Sequence, residues 1–376
     1  MIYFDNAATG GFKPRAVTDA VNNVIRYLSA NPGRSAHRLS VTGAEMVLDA
    51  RCALGELFNA RPEHVIFTKN CTEALNYAIF GLIGRGNHVI TTVYEHNSVL
   101  RPLFSLKEKG EISLDVVMTD NIGDLPKKIE GKINRNTKLI VVNSVSNVTG
   151  DVLPVQEIGE LAKKHNIFYI VDGAQGGGHI NIDIKEMNIT ALALACHKGL
   201  YGIMGSGALI LSDNADVKPI VFGGTGSESF NLLQPTMYPD RLESGTINLP
   251  AVAALTESIR YVKDNMKSFS HLLINNSEFL IEGLKSIGAS VFSRPNPAGV
   301  VSFSVEGMQS VDVAEILDSD YDIAVRAGVH CAPLLHLFLG TADTGLVRVS
   351  LSAQNTSREI RYFLSAVKER FGTKSF

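Results

Sequence analysis

The stretch IFYIVDGAQ, residues 167–175, is a short apolar run that ends abruptly in polar residues. It shows no alternation of apolar and polar residues, which is typical of a strand buried on both faces of a sheet. Pro154 opens the helical segment PVQEIGELAKKHN just before it, and proline is well tolerated in the first turn of a helix. A helix followed by such a strand favours a parallel sheet covered by helices.

The same alternation of strands and helices continues along much of the chain. TEALNYAIFGLI (72–83), for example, has the spacing of a helix and follows a strand-like run. The further strand-like runs are EHVIFT (63–68), NHVITTVY (87–94), LDVVMT (114–119), TKLIVVNSVSN (137–147), ITALALACHK (189–198) and GALILS (207–212). We therefore predict an α/β fold whose large domain contains a seven-stranded, mostly parallel sheet.

The sequence pattern changes after Pro250, where a long helical segment leads into several short strand-like runs and a last helix. With 376 residues, the chain is too long for one compact core of ordinary size. We predict two domains: a large one over residues 14–250 and a smaller α/β one over residues 251–376. Residues 1–13 are assigned to the smaller domain.

The charge and cysteine content argue against several classes of protein. Lys and Arg number 35 against 38 Asp and Glu, so no nucleic-acid or membrane binding is expected. The sequence has no uninterrupted apolar stretch of about 18 residues, so no membrane span is predicted. The four cysteines are scattered and form no CxxC pair, so no metal site is predicted. This cysteine usage, with no signal peptide visible in MIYFDNAATG, predicts a cytoplasmic protein.

Polar side chains collect where the predicted strands end, at the edge where parallel sheets bind ligands. Asp172 ends one strand and Lys198 follows the next apolar run. Taken singly, each is more often a turn-capping aspartate or a solvated lysine. Buried together, both need partners, and pyridoxal 5'-phosphate (PLP) would satisfy both. A carboxylate keeps its pyridine nitrogen protonated, and a lysine amine bonds its aldehyde. The pair therefore predicts a PLP site.

Several short motifs occur in a characteristic order: YEHNS (94–98), SNVTG (146–150), DGAQ (172–175), HKGLYG (197–202), LESGTIN (242–248) and GVHCAP (328–333). Together they resemble the class V, fold type I PLP enzymes, and within them the group II cysteine desulfurases and selenocysteine lyases. The resemblance extends from YFDNAAT (3–9) to VRVSLSAQNT (347–356), and so covers essentially the whole chain. It implies a fold type I PLP-dependent transferase.

The resemblance also implies roles around the cofactor ring. Lys198 would attach the cofactor covalently, and Asp172 would bind the pyridine nitrogen. Gln175 and Asn147 would hydrogen-bond the phenolic oxygen or its surroundings. His96 would stack on the ring and could exchange protons with the substrate, although outside this context it would be interpreted as a loop histidine.

The phosphate group needs donors, which the N-terminus of a helix provides. Cys71 and Thr72 open the helix after the VIFT strand, and Thr72 could equally be the N-cap of that helix. The resemblance makes His197 a further phosphate ligand. It makes Thr246 a ligand that reaches the neighbouring active site, which implies a homodimer. Ala195 stands where relatives have Ser or Thr, so one phosphate hydroxyl is missing.

An amino-acid substrate needs a clamp for its α-carboxylate, and Arg348 offers a planar, bidentate guanidinium. Its two valine neighbours alternate with it in a strand pattern, so it faces the opposite side of the strand. Without the resemblance, a surface arginine would be the preferred interpretation. The resemblance places Arg326 and Asn147 near the substrate as well. It also implies a contribution from the N-terminal loop that contains His37.

Cys331, in VRAGVHCAPLLH (325–336), could by itself be a nucleophile, a metal ligand or a packing residue. Beside a PLP site, its thiolate could attack the sulfur of L-cysteine, which leaves a persulfide on the enzyme and releases alanine. The resemblance thus implies a PLP-dependent cysteine desulfurase, with Lys198, Cys331 and His96 as its catalytic residues. A sulfur-acceptor protein is expected as a partner.

Four alternatives stay open. Two are close: a selenocysteine lyase, and a cysteine or cystine C–S lyase that forms no enzyme persulfide. A class V aminotransferase acting on a small amino acid is more distant. A non-enzymatic scaffold is disfavoured because a pure scaffold needs neither Lys198 nor Asp172.

Overall fold

The computed structural model describes residues 1–372. Its larger sheet contains seven strands: β2 (Val65–Thr68), β3 (Asn87–Thr92), β4 (Ile112–Val117), β5 (Thr137–Asn143), β6 (Phe168–Asp172), β7 (Ala191–Ala195) and β8 (Gly207–Leu211). They lie in the order β2-β8-β7-β6-β5-β3-β4. All pairings are parallel except those of β8, which runs antiparallel to both β2 and β7. The predicted seven-stranded, mostly parallel sheet is confirmed, and each predicted run supplies one strand.

A second group of strands follows in the C-terminal part of the chain. It contains β9 (Ser290–Val291), β10 (Val300–Ser304), β12 (Arg326–Gly328) and β13 (Leu346–Ser350), which form an antiparallel sheet in the order β12-β13-β10-β9. The N-terminal strand β1 (Ile2–Tyr3) pairs in parallel with β11 (Ile323–Ala324). The start of the chain is therefore joined to its C-terminal part through this pair of strands.

The helices are α1 (Arg15–Tyr27), α2 (Arg38–Phe58), α3 (Cys71–Leu82), α4 (Asn97–Glu108), α5 (Leu125–Glu130), α6 (Val155–Lys164), α7 (Leu249–Ile287), α8 (Ser310–Tyr321), α9 (Pro333–Leu339) and α10 (Ser357–Phe371). Local chemistry sets several of their ends. Thr356 and Glu359 form a reciprocal capping box at the start of α10, and Gly288 ends α7 in the left-handed region. Within residues 1–372, no helix is long and apolar enough to cross a bilayer.

Helices cover both faces of the larger sheet. On one face, α2, α6 and the first half of α7 bury side chains such as Leu54 and Ile158 against it. On the other face, α3 and α4 do the same with Leu75 and Leu103. Because both faces are dry, the strands between them are apolar throughout, and only their carboxyl ends are open to polar ligands.

Helix α7 is 39 residues long and belongs to both parts of the molecule. Leu255 and Ile259 in its first half pack into the core of the larger sheet. Leu280 and Leu284 in its second half pack with Phe4 into the core of the smaller sheet. A single helix therefore connects the two cores just after residue 250. The division into residues 14–250 and 251–376 stays a prediction.

Candidate active site

A cavity of about 120 Å³ opens at the carboxyl ends of β5, β6 and β7. The strand-end argument placed a ligand site at this edge. Eight of the nine predicted cofactor-binding residues line the cavity: Cys71, Thr72, His96, Asn147, Asp172, Gln175, His197 and Lys198. Cys71 and Lys198, which are 127 positions apart in the sequence, thus line the same cavity.

Asp172 is the last residue of β6 and is 4% exposed. Its Oδ1 accepts the backbone N–H of Ala174 at 2.9 Å and the Cys71 thiol at 3.5 Å. Burial, reinforced by the Asp172 charge, raises the pKa of the Cys71 thiol well above its usual value. Cys71 therefore stays protonated as a donor. Neither bond uses Oδ2 of Asp172, which can hold a protonated ring nitrogen.

Lys198 follows β7 and lines the cavity, and the N-terminal loop holds its neighbour His197 in place. The carbonyl of His197 accepts hydrogen bonds from the Gly10 N–H at 3.0 Å and from Lys13 Nζ at 3.0 Å. Burial lowers the pKa of Lys198, and Arg348 lowers it further, whereas Asp172 opposes the shift. A lowered pKa leaves more of the amine neutral, and the neutral amine is the nucleophile needed to bond an aldehyde.

Helix α3 directs its N-terminus at the cavity, since Asn70, Cys71 and Thr72 all line it. Asn70 caps this helix by accepting the Glu73 N–H at 2.9 Å, so the alternative that Thr72 is the N-cap is wrong. The Thr72 hydroxyl instead lies 3.1 Å from Ser98 Oγ. The first turn of α3 therefore offers unpaired N–H groups and a hydroxyl to an anion.

His197 lies beside this helix end, with its Nδ1 3.1 Å from Thr9 Oγ1. Burial lowers the pKa of His197 to about 4, with Lys198 and Lys13 adding to the shift, so the ring is neutral near pH 7. Ala195 lines the same cavity without a hydroxyl. A carboxylate, an amine and an anion site around one cavity fit the ring nitrogen, the aldehyde and the phosphate of PLP.

His96 is the N-cap of α4, and its ring position is set locally. Its Nδ1 accepts the backbone N–H of Ser98 at 3.0 Å and lies 2.6 Å from Ser98 Oγ. Because Nδ1 is an acceptor, a neutral ring carries its proton on Nε2. Burial lowers the pKa of His96 to about 4, an effect that Asp172 partly opposes. His96 therefore presents a neutral imidazole to the cavity.

Arg348 is 1% exposed in the middle of β13. Its Nη1 donates to the Asn147 carbonyl at 3.0 Å and its Nη2 to Asp5 Oδ1 at 2.7 Å. Its Nε is buried with no hydrogen-bond partner among residues 1–372. The interpretation of Arg348 as a surface arginine is therefore wrong. Asp5 orients the guanidinium, and Nε is left for a further acceptor.

Cys331 lies between β12 and α9, and hydrogen bonds hold its loop at the cavity. Its carbonyl accepts the Asn97 N–H at 2.7 Å, and the preceding His330 carbonyl accepts Asn147 Nδ2 at 2.8 Å. The Cys331 thiol lies 4.0 Å from Nη2 of Arg326. Cys331, Arg326 and Arg348 do not line the cavity themselves, but Cys331 and Arg348 are joined to it through Asn97 and Asn147. Asn147 donates one of its amide protons to the His330 carbonyl in this loop, a contact that was not predicted from the sequence.

Two predicted residues lie elsewhere. Thr246 is exposed and lines a different cavity, formed by α2 and the segment 205–252. His37 is exposed and caps α2 by accepting the Ser40 N–H. The bidentate ion pair of Arg51 with Glu243, at 2.8 and 2.6 Å, ties the Thr246 segment to α2.

Several residues of the site were missed from the sequence. Asp5 and Asn97 lie within the quoted motifs YFDNAAT and YEHNS but were given no role, and five unpredicted residues line the cavity: Asn70, Ser98, Asn143, Val145 and Ala174. Asn143 ends β5, so the strand-end rule could have found it. No local signal points to Asp5, which meets Arg348 across 343 positions.

Comparisons with known proteins agree with this geometry. The aminotransferase class-V family model matches residues 2–363. Proteins named "probable cysteine desulfurase" in Pyrococcus abyssi and Methanothermobacter thermautotrophicus are both 32% identical. The alignments cover 98% and 99% of this chain and 94% and 95% of those proteins, respectively.

A solved structure gives the same result. The apo structure of a cysteine desulfurase from Thermococcus onnurineus NA1 superposes with a TM-score of 0.91 at 33% identity, and the match covers 98% of this chain and 94% of that one. The fold type I architecture is therefore shared along nearly the whole length of the chain. The chain belongs to the aminotransferase class-V family.

Proposed function

We propose that this protein is a PLP-dependent cysteine desulfurase that moves the sulfur of L-cysteine onto Cys331 as a persulfide and releases L-alanine. The observation that carries the proposal is the position of Cys331. Asn97 and Asn147 hold its loop against the cavity that contains Lys198 and Asp172. An aminotransferase needs the lysine but has no use for a cysteine held there. The names of the relatives support the same activity.

The residues around the cavity have distinct roles in this proposal. When bound, PLP would supply an electron sink that weakens bonds at the substrate Cα. Asp172 would hold a proton on the ring nitrogen through its free Oδ2. The neutral amine of Lys198 would take and return the proton at the substrate Cα, since burial lowers its pKa. The N-terminus of α3, together with His197, would hold the phosphate group.

Arg348 would bind the substrate carboxylate. Its Nε has no partner, and Asp5 and the Asn147 carbonyl fix the plane of the guanidinium. A carboxylate arriving there accepts a charge-assisted hydrogen bond from a group that is already oriented. His96, neutral with its proton on Nε2, can donate that proton near the substrate sulfur or Cβ. Asn147 joins the carboxylate site to the Cys331 loop.

In the sulfur step, the Cys331 thiolate attacks Sγ of the substrate. The S–S bond forms and the Cβ–Sγ bond breaks, with the electron pair passing to the carbon fragment, which takes up a proton and leaves as alanine. L-cysteine and a thiol thus give L-alanine and a persulfide, which balances without an external oxidant. Nη2 of Arg326 lies 4.0 Å from Sγ of Cys331, which places a positive charge beside the nucleophile.

A homodimer completes the proposal. Thr246 does not line the cavity of its own chain, and the segment before it carries fully or largely exposed apolar side chains: Phe222, Phe230, Leu232, Leu233 and Met237. Several large exposed apolar side chains in one segment are typical of an interface. A second copy that covered it would bring the Thr246 segment to the neighbouring active site.

The decisive experiment compares the PLP-loaded protein with its Cys331→Ala and Cys52→Ala variants. Cys52 is exposed on α2, so its loss controls for the removal of a thiol. With L-cysteine, we expect Cys331→Ala to lose persulfide formation and sulfur transfer to dithiothreitol while it keeps the absorbance of bound PLP. Cys52→Ala should match the wild type.

Other outcomes identify the alternatives. Desulfuration at the parental rate in Cys331→Ala would contradict the persulfide mechanism and favour a C–S lyase. Selenide release from selenocysteine that is insensitive to this substitution, with little turnover of cysteine, would identify a selenocysteine lyase. Stoichiometric keto acid from L-alanine would identify an aminotransferase.

A further inference from the structure

The turn that carries Cys331 has an unusual backbone. His330 and Cys331 are consecutive residues with φ of +50° and +57°. Residues other than glycine seldom enter this left-handed region, and a pair of them persists only where the surroundings impose it. The turn is therefore held, and the contacts that hold it determine where the thiol lies.

Hydrogen bonds to the backbone account for part of the restraint. Asn147 Nδ2 donates to the His330 carbonyl at 2.8 Å, and the Asn97 N–H donates to the Cys331 carbonyl at 2.7 Å. Ala332 N–H closes the turn on the Val329 carbonyl at 2.9 Å. These bonds fix the two carbonyl groups but leave the His330 side chain free to turn.

A series of contacting side chains fixes the position of the His330 side chain as well. His330 Nδ1 lies 3.4 Å from His336 Nε2, and the two rings stack at 5.6 Å with an interplanar angle of 26°. His336 Nδ1 lies 2.9 Å from Thr341 Oγ1. His330, His336 and Thr341 are at most 6% exposed. A buried, hydrogen-bonded chain of this kind is rigid because none of its members can exchange its partner for water.

Both rings are neutral. Burial, then Arg348 and His336, lower the pKa of His330 to about 2. Burial also lowers the pKa of His336. Each neutral imidazole has one donor and one acceptor nitrogen, so the proton positions on Thr341, His336 and His330 depend on one another. The hydrogen-bonded side chains therefore run from Thr341 through His336 to His330, the residue that precedes Cys331.

We propose that His336 and Thr341 are positioning residues for Cys331: through the His330 ring they hold the left-handed turn in which the thiol lies beside Arg326. The importance of this turn for sulfur transfer rests on the proposed function, whereas its rigidity does not. Helix α9, which carries His336, then acts as the support of the nucleophile.

The proposal separates binding from chemistry. A substitution at Thr341 removes neither the bond of Arg348 to Asp5 nor the bonds by which Asn147 joins Arg348 to the His330 carbonyl. Lys198 and Asp172 lie on the other sheet. A variant that weakens only the chain of side chains should therefore lower kcat for sulfur transfer, with little change in KM and in cofactor absorbance.

The test uses Thr341→Val, which keeps the shape and removes the hydroxyl, and Thr341→Ser, which keeps the hydroxyl. Thr344→Val is a matched control, since Thr344 lies in the same loop, is exposed, and has a hydroxyl that bonds the adjacent Gly345 carbonyl. In Thr341→Val we expect faster hydrogen–deuterium exchange in the peptide spanning residues 328–336. We also expect kcat to fall about fivefold, the effect of losing one neutral hydrogen bond. Thr341→Ser should restore both.

Hydrogen–deuterium exchange and kcat test the positioning role and the proposed function separately. Unchanged exchange in Thr341→Val, or a loss that Thr341→Ser does not restore, overturns the positioning role. Faster exchange in Thr344→Val to the same extent would also overturn it, because the effect would then belong to the loop as a whole. If the wild type shows no sulfur transfer at all, the proposed function fails, and the exchange measurement still decides whether the chain holds the turn.

Discussion

Replacing Glu95 by glutamine should change the pH dependence of stability more than any single surface substitution. Glu95 is fully buried beside the cavity, and its Oε1 accepts the Thr92 hydroxyl at 2.6 Å. Its Oε2 and the Oδ1 of Asn143 are both buried without a partner among residues 1–372. Two acceptors cannot pair with each other, but a proton on Glu95 makes Oε2 a donor.

The sign and the size of the effect follow from the pKa. Burial raises the pKa of Glu95 from 4.5 to about 8, with the Thr92 hydrogen bond opposing and Asp172 adding to the shift. Between these values the folded protein keeps a proton that the unfolded chain loses. Stability therefore falls as pH rises from about 4.5 to about 8 and is flat above. At about 1.4 kcal/mol per pH unit, the total approaches about 5 kcal/mol.

Urea unfolding of the wild type and Glu95→Gln, in the same buffers at pH 5.5, 7 and 8.5, measures this directly. The difference between the two proteins cancels the other titrating groups, and glutamine keeps both shape and neutrality. We expect the variant to gain stability relative to the wild type as pH rises. Glu45→Gln, at an exposed position in α2, controls for removing a carboxyl. A difference that stays constant with pH would show that Glu95 does not hold a proton, and the reasoning would be wrong.

Two further outcomes are expected. Ala195→Ser would place a hydroxyl on the wall of the cavity beside His197, and should tighten PLP binding about tenfold in absorbance titrations of the cofactor-free protein; equal or weaker binding would argue against a phosphate site there. Replacing Phe230 and Leu232 by aspartate puts charge on two fully exposed apolar positions and should shift the proposed dimer toward monomer in sedimentation velocity, whereas an unchanged sedimentation coefficient would exclude these residues from an interface.

Much of the fold could be predicted because the pattern that encodes it is local. Each of the seven apolar runs became one strand of the larger sheet, since a strand covered on both faces must be apolar along its whole length. The exact ends and the direction of β8 could not be read in this way. An apolar run has the same pattern whether it pairs parallel or antiparallel with its neighbours.

The candidate site likewise has parts that the local sequence predicts and parts that it does not. Asp172 and Lys198 follow buried strands, so strand ends alone bring them to one edge of the sheet. The alternative that Thr72 caps α3 was wrong, because Asn70 and Thr72 are both good capping residues and only the backbone decides between them. Sequence motifs located Arg348 and Cys331 but gave no indication of what holds them in place.

By itself, then, the sequence determined the α/β class, the seven strands and the edge where the ligand-binding side chains collect. Burial on both faces of the sheet requires runs of neighbouring apolar residues, and these runs are visible in the sequence. Only the tertiary structure decided that Asp5 orients Arg348, that Asn147 and Asn97 hold the Cys331 loop, and that Glu95 is closed off from water. These contacts join residues far apart in the chain. Their energies depend on distance and burial, which no stretch of neighbouring residues encodes.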